Sequence, residues 1–247
     1  MIDDIKTIIW KEWNEVVLQQ GGTSQRTTQL RLAVITLVFG IFIPWRMGPS
    51  YVNNPLSLII PAFVPIFVIL GTITDSFAGE RERHTLETLL ASRMSDEAIL
   101  LGKVICGVVF AWMLFIAMLI VGLVGVNATH WQGHLQLFPA NRLITTVFFN
   151  FLISMVVSSA GVLVSLRAPT VRQAMQMLTL GFMFIVYGGI FGFQMLPIAW
   201  RASIRRFVLD ENLFTLEVIA AGILLGSAII LFTIARLRFQ RARLILD

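Results

Sequence analysis

The stretch 104–125, VICGVVFAWMLFIAMLIVGLVG, runs for 22 residues without a charge or a proline. At about 1.5 Å of helix per residue it is long enough to cross a hydrocarbon layer of ~30 Å. Too apolar all round to be a surface helix, it predicts a membrane span. Charge-free runs recur at 32–45, 47–74, 104–141, 143–166, 173–200 and 218–235.

The composition agrees. The chain has 247 residues, 57% hydrophobic and 13% charged, with a mean hydropathy of +0.82; soluble domains carry about 25% charged residues. A water-soluble enzyme, a disordered chain, a coiled coil and a collagen are thereby excluded. The single cysteine, Cys106, lies in an apolar run and offers neither a disulfide framework nor a Cys metal cluster. The net charge is +5, but the bases sit at the ends of apolar runs. Their natural partner is the anionic face of a bilayer rather than nucleic acid. The opening MIDDIKTIIWKEWNEVV carries acids and no apolar core before a small-residue cleavage site, so no signal-peptide processing is expected.

Spans are expected at 30–48, 56–77, 99–125, 142–166, 173–196 and 214–236. The first needs Arg31 and Arg46 to reach toward the two interfaces. The third ends near Gly125, because HWQGH and FPAN read as a loop. With both termini cytoplasmic, 14 of the 19 Lys and Arg fall inside and 5 outside, which supports six spans in an integral, multi-pass protein of a prokaryotic cytoplasmic membrane.

Before the first span, residues 1–22 pattern as an amphipathic helix with Ile2, Ile5, Ile9, Trp13 and Val16 on one face, suited to the inner leaflet. The densest charge lies between the second and third spans, in Asp75-SFAGERERHTLETLLASRMSDEAILLGK-Val104. Glu80, Arg81, Glu82 and Arg83 mark the membrane exit. Thr85 can cap a short helix with the apolar stripe Leu86, Leu89 and Leu90, and Ser95 with Asp96 can restart a helix in which Lys103 faces the inner headgroups. The residues alone allow either a solvated loop or a docking helix.

This segment resembles the first cytoplasmic loop of type-2 ABC exporter permeases, in which E-R/K-E-x-x-T-L-E-x-L-L is followed by an apolar Gly-Lys turn into the next span. The Lys11-Glu12 pair in an N-terminal helix, six spans and a small second loop, LRAPTVRQA, extend the likeness. One departure stands out: the family commonly has Gly before the Thr, and this chain has His84. The resemblance implies an all-α membrane protein forming one permease domain over 1–247, with six transmembrane helices, an N-terminal interfacial helix and a coupling helix in the 78–98 loop. It implies that Glu80, Glu82, Arg83, Thr85, Leu86, Glu87 and Leu90 contact an ATP-binding-cassette ATPase subunit, with Leu86 and Leu90 filling its groove. It further implies a dimer of permease copies whose second and fifth spans line the path, which points to Phe63, Phe67, Gln176, Met183 and Tyr187.

The chain has no G-x-x-x-x-G-K-[S/T]; Gly102-Lys103 is followed by Val104. No cofactor is expected in this chain, and ATP and magnesium would be bound by the partner subunit. Ionisable groups are almost absent from the spans, which disfavours a proton relay. Gly188 with Gly192 and Gly222 with Gly226 have GxxxG spacing suited to close helix contact. His130 and His134 lie four apart in an outer loop interrupted by Gly133, with no third ligand, so no metal is expected. The segment LPIAWRASIRRFVLDENLF suits a short outer helix, either a lid or an interfacial helix. Three functions compete: a permease subunit of an ATP-driven exporter, a membrane partner that passes ATPase motion to an extracytoplasmic protein, and an intramembrane enzyme. Short outer loops weigh against the second, and no catalytic constellation supports the third.

Overall fold

The computed structural model describes residues 2–18, 34–202 and 213–239, and among them there is helix and no strand. An N-terminal helix α1 (Ile2–Leu18) precedes α2 (Thr36–Met47), whose first part, Thr36–Phe42, is wound as a π-helix. There the Ile43 N–H bonds five residues back, to Val38 O, and Pro44 has no N–H with which to resume the tighter ladder. A short α3 (Ser50–Asn53) leads to α4 (Ile59–Glu82), α5 (Leu86–Leu90), α6 (Asp96–Thr129), α7 (Ala140–Ser165), α8 (Val171–Met195) and α9 (Leu213–Arg238).

Five of these helices, α4, α6, α7, α8 and α9, are long and apolar enough to cross a membrane, so the chain is an integral, multi-pass membrane protein. The expected first span, 30–48, corresponds to the shorter apolar α2, and residues 30–33 lie outside the described residues. The helices of the second and third expected spans run well past the expected bounds. The second runs on to Glu82 instead of ending at 77, so Glu80, Arg81 and Glu82 form a helical last turn rather than a loop. The third occupies 96–129 instead of 99–125. Ser95 opens it by accepting the Ala98 N–H, and near its far end Asn127 Nδ2 donates to Gln136 O.

The centre is the packing of α4, α6 and α7. Between apolar helices in lipid there is little hydrophobic drive, so close approach and hydrogen bonds carry the contact. Gly161 is the clearest case: a Cβ there would lie 2.2 Å from Ile73 Cγ2. Asn150 Nδ2 donates to Ala62 O at 2.9 Å, and Trp112 Nε1 to Val147 O at 3.3 Å. Toward the C-terminal end of α6, Tyr51, Phe115, Val126 and Phe138 form a second cluster.

The peripheral helices are less enclosed. Between Met183 and Met195 on α8 only Val186 is partly shielded by the chain. A Cβ at Gly188, Gly192, Gly222 or Gly226 would meet nothing within 4 Å among the described residues. The segment expected to form a short outer helix begins helically after Pro197, but its residues 203–212 lie outside the described residues.

Helix α1 packs on α6, where a Cβ at Gly102 would lie 2.6 Å from Ile8 Cγ2. The stripe that faces the protein is therefore Ile8 with Glu12, both buried, whereas Ile2 of the expected apolar stripe is 68% exposed. Trp13 meets Phe110 edge-on at 6.1 Å.

Candidate functional site

The charged side chains of residues 75–83, the last turns of α4 and the residue after it, are paired with one another or with α1, α6 and the α7–α8 turn. Ser76, Phe77 and Glu80 lie three and four residues apart and so share one helix face. That face meets Lys103 of α6 and Glu12 of α1. Lys103 Nζ donates to Glu12 Oε1 at 2.5 Å, to Ser76 O at 2.6 Å and to Glu80 Oε1 at 3.2 Å. It also lies 4.8 Å from the centroid of the Phe77 ring. Lys11 Nζ reaches the same Glu80 oxygen at 2.5 Å. Lys103, Glu80 and Glu12 are all buried. Lys103, expected among the headgroups, instead joins three helices, because two carboxylates converge on it where the membrane ends.

Burial pushes the Glu12 carboxyl above its ordinary range, and the nearby Lys103 charge pulls it back. One oxygen each of Glu12, Glu15 and Glu80 lies within 4.8 Å of the others, a grouping that could hold a metal ion. Lys11 and Lys103 already supply positive charge at these carboxylates.

The remaining charges complete the frame. Arg83 Nη1 is 3.1 Å from Asp75 Oδ2, and its Nη2 is 3.9 Å from Glu15 Oε2. Gly79 makes room for this fold-back, since a Cβ there would collide with Asp75 Oδ1 at 1.8 Å. Arg81 donates to Ala168 O and Leu166 O after α7, and Glu82 Oε1 accepts the Val171 N–H at 2.9 Å at the start of α8. His84 then turns the chain with φ 56°, a left-handed conformation that suits glycine. This is the position at which the resembling permeases commonly have Gly, so the histidine keeps the turn at a conformational cost.

Thr85 begins α5 without a side-chain cap; its hydroxyl donates instead to Glu80 O at 3.3 Å. Leu86, Leu89 and Leu90 are buried in the chain's own core. Leu86 and Leu90, expected to fill a partner's groove, thus face inward, into the cluster to which α4 and α6 also contribute. Thr85, Glu87, Thr88 and Ala91 are exposed. Of the seven expected contact residues, Glu80 and the two leucines hold the loop from within. Arg83 and Glu82 tie it to neighbouring elements, and Thr85 and Glu87 are left outward.

The five expected path residues are all exposed on α4 and α8. Phe63 and Phe67 converge on Phe182 of α8, with ring centroids 6.3 and 5.5 Å away. Tyr187 stacks on Phe191 along α8, while Gln176 and Met183 project from the same helix. His130 closes α6 with Nδ1 2.8 Å from Thr129 Oγ1, and His134 is exposed in the following loop.

Missed by sequence reasoning were Glu12 and Lys103 as ligands of one another and Ser165 as a fastening. Ser165 Oγ donates to Thr74 O at 2.8 Å and accepts the Phe77 and Ala78 N–H groups at 3.0 and 2.9 Å. A signal for the first was present: a lysine at the start of a span and an acid one residue from Lys11 each need a partner.

The curated proteins contain no match to this chain. The family model of the ABC-2 type transporter matches residues 3–209, from α1 through the end of α8 and into the outer segment. With four of the five long apolar helices and the charged exit of α4 inside that match, the chain belongs to the ABC-2 type transporter family and is a membrane permease component of an ABC transporter.

Proposed function

We propose that this chain works as a dimer with two separate ATPase subunits to export its substrate, with both termini cytoplasmic and α2 as the outer part of a sixth span. The observation that carries the reading is the α4–α5–α6 corner. A short helix with a polar outer face is seated on buried leucines, and the two spans it connects are tied to each other by Glu80 and Lys103. Force applied to such a helix cannot be absorbed by a slack loop.

The chain lacks a phosphate-binding loop, so ATP and magnesium belong to the partner. Closure of the ATPase pair would draw the two α5 helices together and tilt α4 and α6 as one body. Thr85, Glu87 and Thr88 would make the direct contact. Glu80, Arg83, Leu86 and Leu90 would hold that surface in place, while Glu82 reaches away from it to the start of α8. Phe63, Phe67, Gln176, Met183 and Tyr187 would line the path between the copies; they are available because α4 and α8 leave them uncovered.

Co-purification from the native host should recover a distinct ATPase with the wild-type chain. Thr88→Arg, at an exposed position, should cut recovery while the permease still inserts and folds; a contact at the centre of an interface is worth about 2 kcal/mol or more. Full ATPase recovery and transport from Thr88→Arg would remove α5 as the docking element. In a Cys106→Ser background, Thr88→Cys should resist an impermeant thiol reagent in intact cells and Asn53→Cys should react. The opposite pattern would reverse the orientation.

A further inference from the structure

The two cytoplasmic loops are fastened to each other rather than free. Arg81 and Glu82 are adjacent in the last turn of α4, yet they act on opposite helix ends. The Arg81 guanidinium donates to Leu166 O at 3.0 Å and to Ala168 O, where α7 runs out and leaves carbonyls unpaired. Glu82 Oε1 accepts the Val171 N–H at 2.9 Å, at the first residue of α8. A cation at a helix C-terminus and an anion at a helix N-terminus each match the local helix dipole. Beneath them Ala78, Ala168 and Ala174 pack together fully buried, and Ser165 is bonded to the α4 backbone. Thr170 adds the local cap by accepting the Gln173 N–H at 3.2 Å.

We propose that Arg81 and Glu82 are positioning residues that clamp the α7–α8 turn to the end of α4, so that displacement of the first cytoplasmic loop also moves α8. Built on the permease reading above, this inference adds a second output. The loop next to α5 drives α4 and α6 through Glu80 and Lys103, and it drives α8 through Arg81 and Glu82. Swinging α8 matters because beyond Phe182 the chain leaves that helix largely uncovered, so its position is set at its cytoplasmic end.

The test has two arms. In the full-length permease alone, in lipid nanodiscs and a Cys106→Ser background, spin labels at Thr88 and Arg172 report the distance between α5 and the first turn of α8. The unsubstituted clamp should give one narrow distribution. Arg81→Ala with Glu82→Ala should broaden it. So should the charge swap Arg81→Glu with Glu82→Arg, which places each charge at the wrong helix end. Glu82→Gln should stay narrow, because its amide oxygen still accepts the Val171 N–H. A narrow distribution from the double alanine variant would overturn the clamp.

In the complex with the co-purified ATPase, the double alanine variant should keep hydrolysis but lose at least about fivefold in transport per ATP. Glu82→Gln should retain most of it. A merely structural role would lower hydrolysis and transport together, and that result would overturn the second output. Failure of wild-type chain to recover any ATPase would count against the permease reading, while the spectroscopic arm still decides the clamp.

Discussion

Lys103 Nζ lies 2.5 Å from Glu12 Oε1, and both side chains are buried where α1 crosses the N-terminal part of α6. An N-terminal helix that could have floated on the membrane surface is thereby pinned to a spanning helix. With Glu80 on the other side of the ammonium, three elements far apart in sequence share one cation.

Lys103→Met should therefore be among the most damaging single changes in the chain. It leaves two buried carboxylates without their common partner, and breaking a buried pair from one side costs about 3–5 kcal/mol. Thermal unfolding in nanodiscs should show the loss. Adding Glu12→Gln should recover much of it, since the neutral amide no longer needs a cation. If the double variant is as unstable as Lys103→Met alone, the coupling between the two residues is absent.

The same pair makes a prediction about pH. Burial raises the folded-state pKa of Glu12, with Lys103 opposing. The folded protein then holds the Glu12 proton to higher pH than the unfolded chain does. This group's contribution is most favourable below the ordinary carboxylate range and declines as pH rises through the folded value. Removing Lys103 removes the opposing charge, so the decline should extend toward neutral pH in Lys103→Met. Melting temperatures measured from acidic to neutral pH should diverge between wild type and variant as pH rises, and parallel curves would contradict the assignment.

His84 is held at φ 56°. A non-glycine residue in that region costs about 1–2 kcal/mol, offset in part by the extra freedom glycine has when unfolded. His84→Gly should stabilise the protein by about 1 kcal/mol, read as a rise in melting temperature of about 2–4 °C. His84→Val, branched at Cβ, should lower it. An unchanged melting temperature in both would show that the turn relaxes without cost.

Close helix contact gives a fourth test. Gly161→Ala would set a Cβ 2.2 Å from Ile73 Cγ2, and overpacking of this kind costs about 1–3 kcal/mol. Ile73→Ala in the same chain should relieve it. Gly222, with nothing within 4 Å of a Cβ, should accept alanine without loss and gain up to about 1 kcal/mol in helix propensity. Equal effects at the two glycines would mean that α4 and α7 are not packed as described.

The membrane class and the five long spans were legible in the residues themselves, because a charge-free run of about 20 residues has few other places to go. Ser95 as the start of α6 was equally readable, since capping is local chemistry. The exit of α4 was not: Glu80, Arg81 and Glu82 looked like the beginning of a loop, and nothing nearby in sequence shows that they continue a helix. They do so because their partners, Lys11, Lys103, Leu166, Ala168 and Val171, arrive from other elements. The stripe of Leu86, Leu89 and Leu90 was visible, but periodicity states only that a helix has an apolar side. Whether that side meets the chain's own core or another protein depends on what packs beneath it, and here it is the chain's own core. Local pattern thus determined the five helices long and apolar enough to cross a membrane. Tertiary structure alone decided where each charge finds its counter-charge, because Coulomb pairing acts through space and carries no period along the chain.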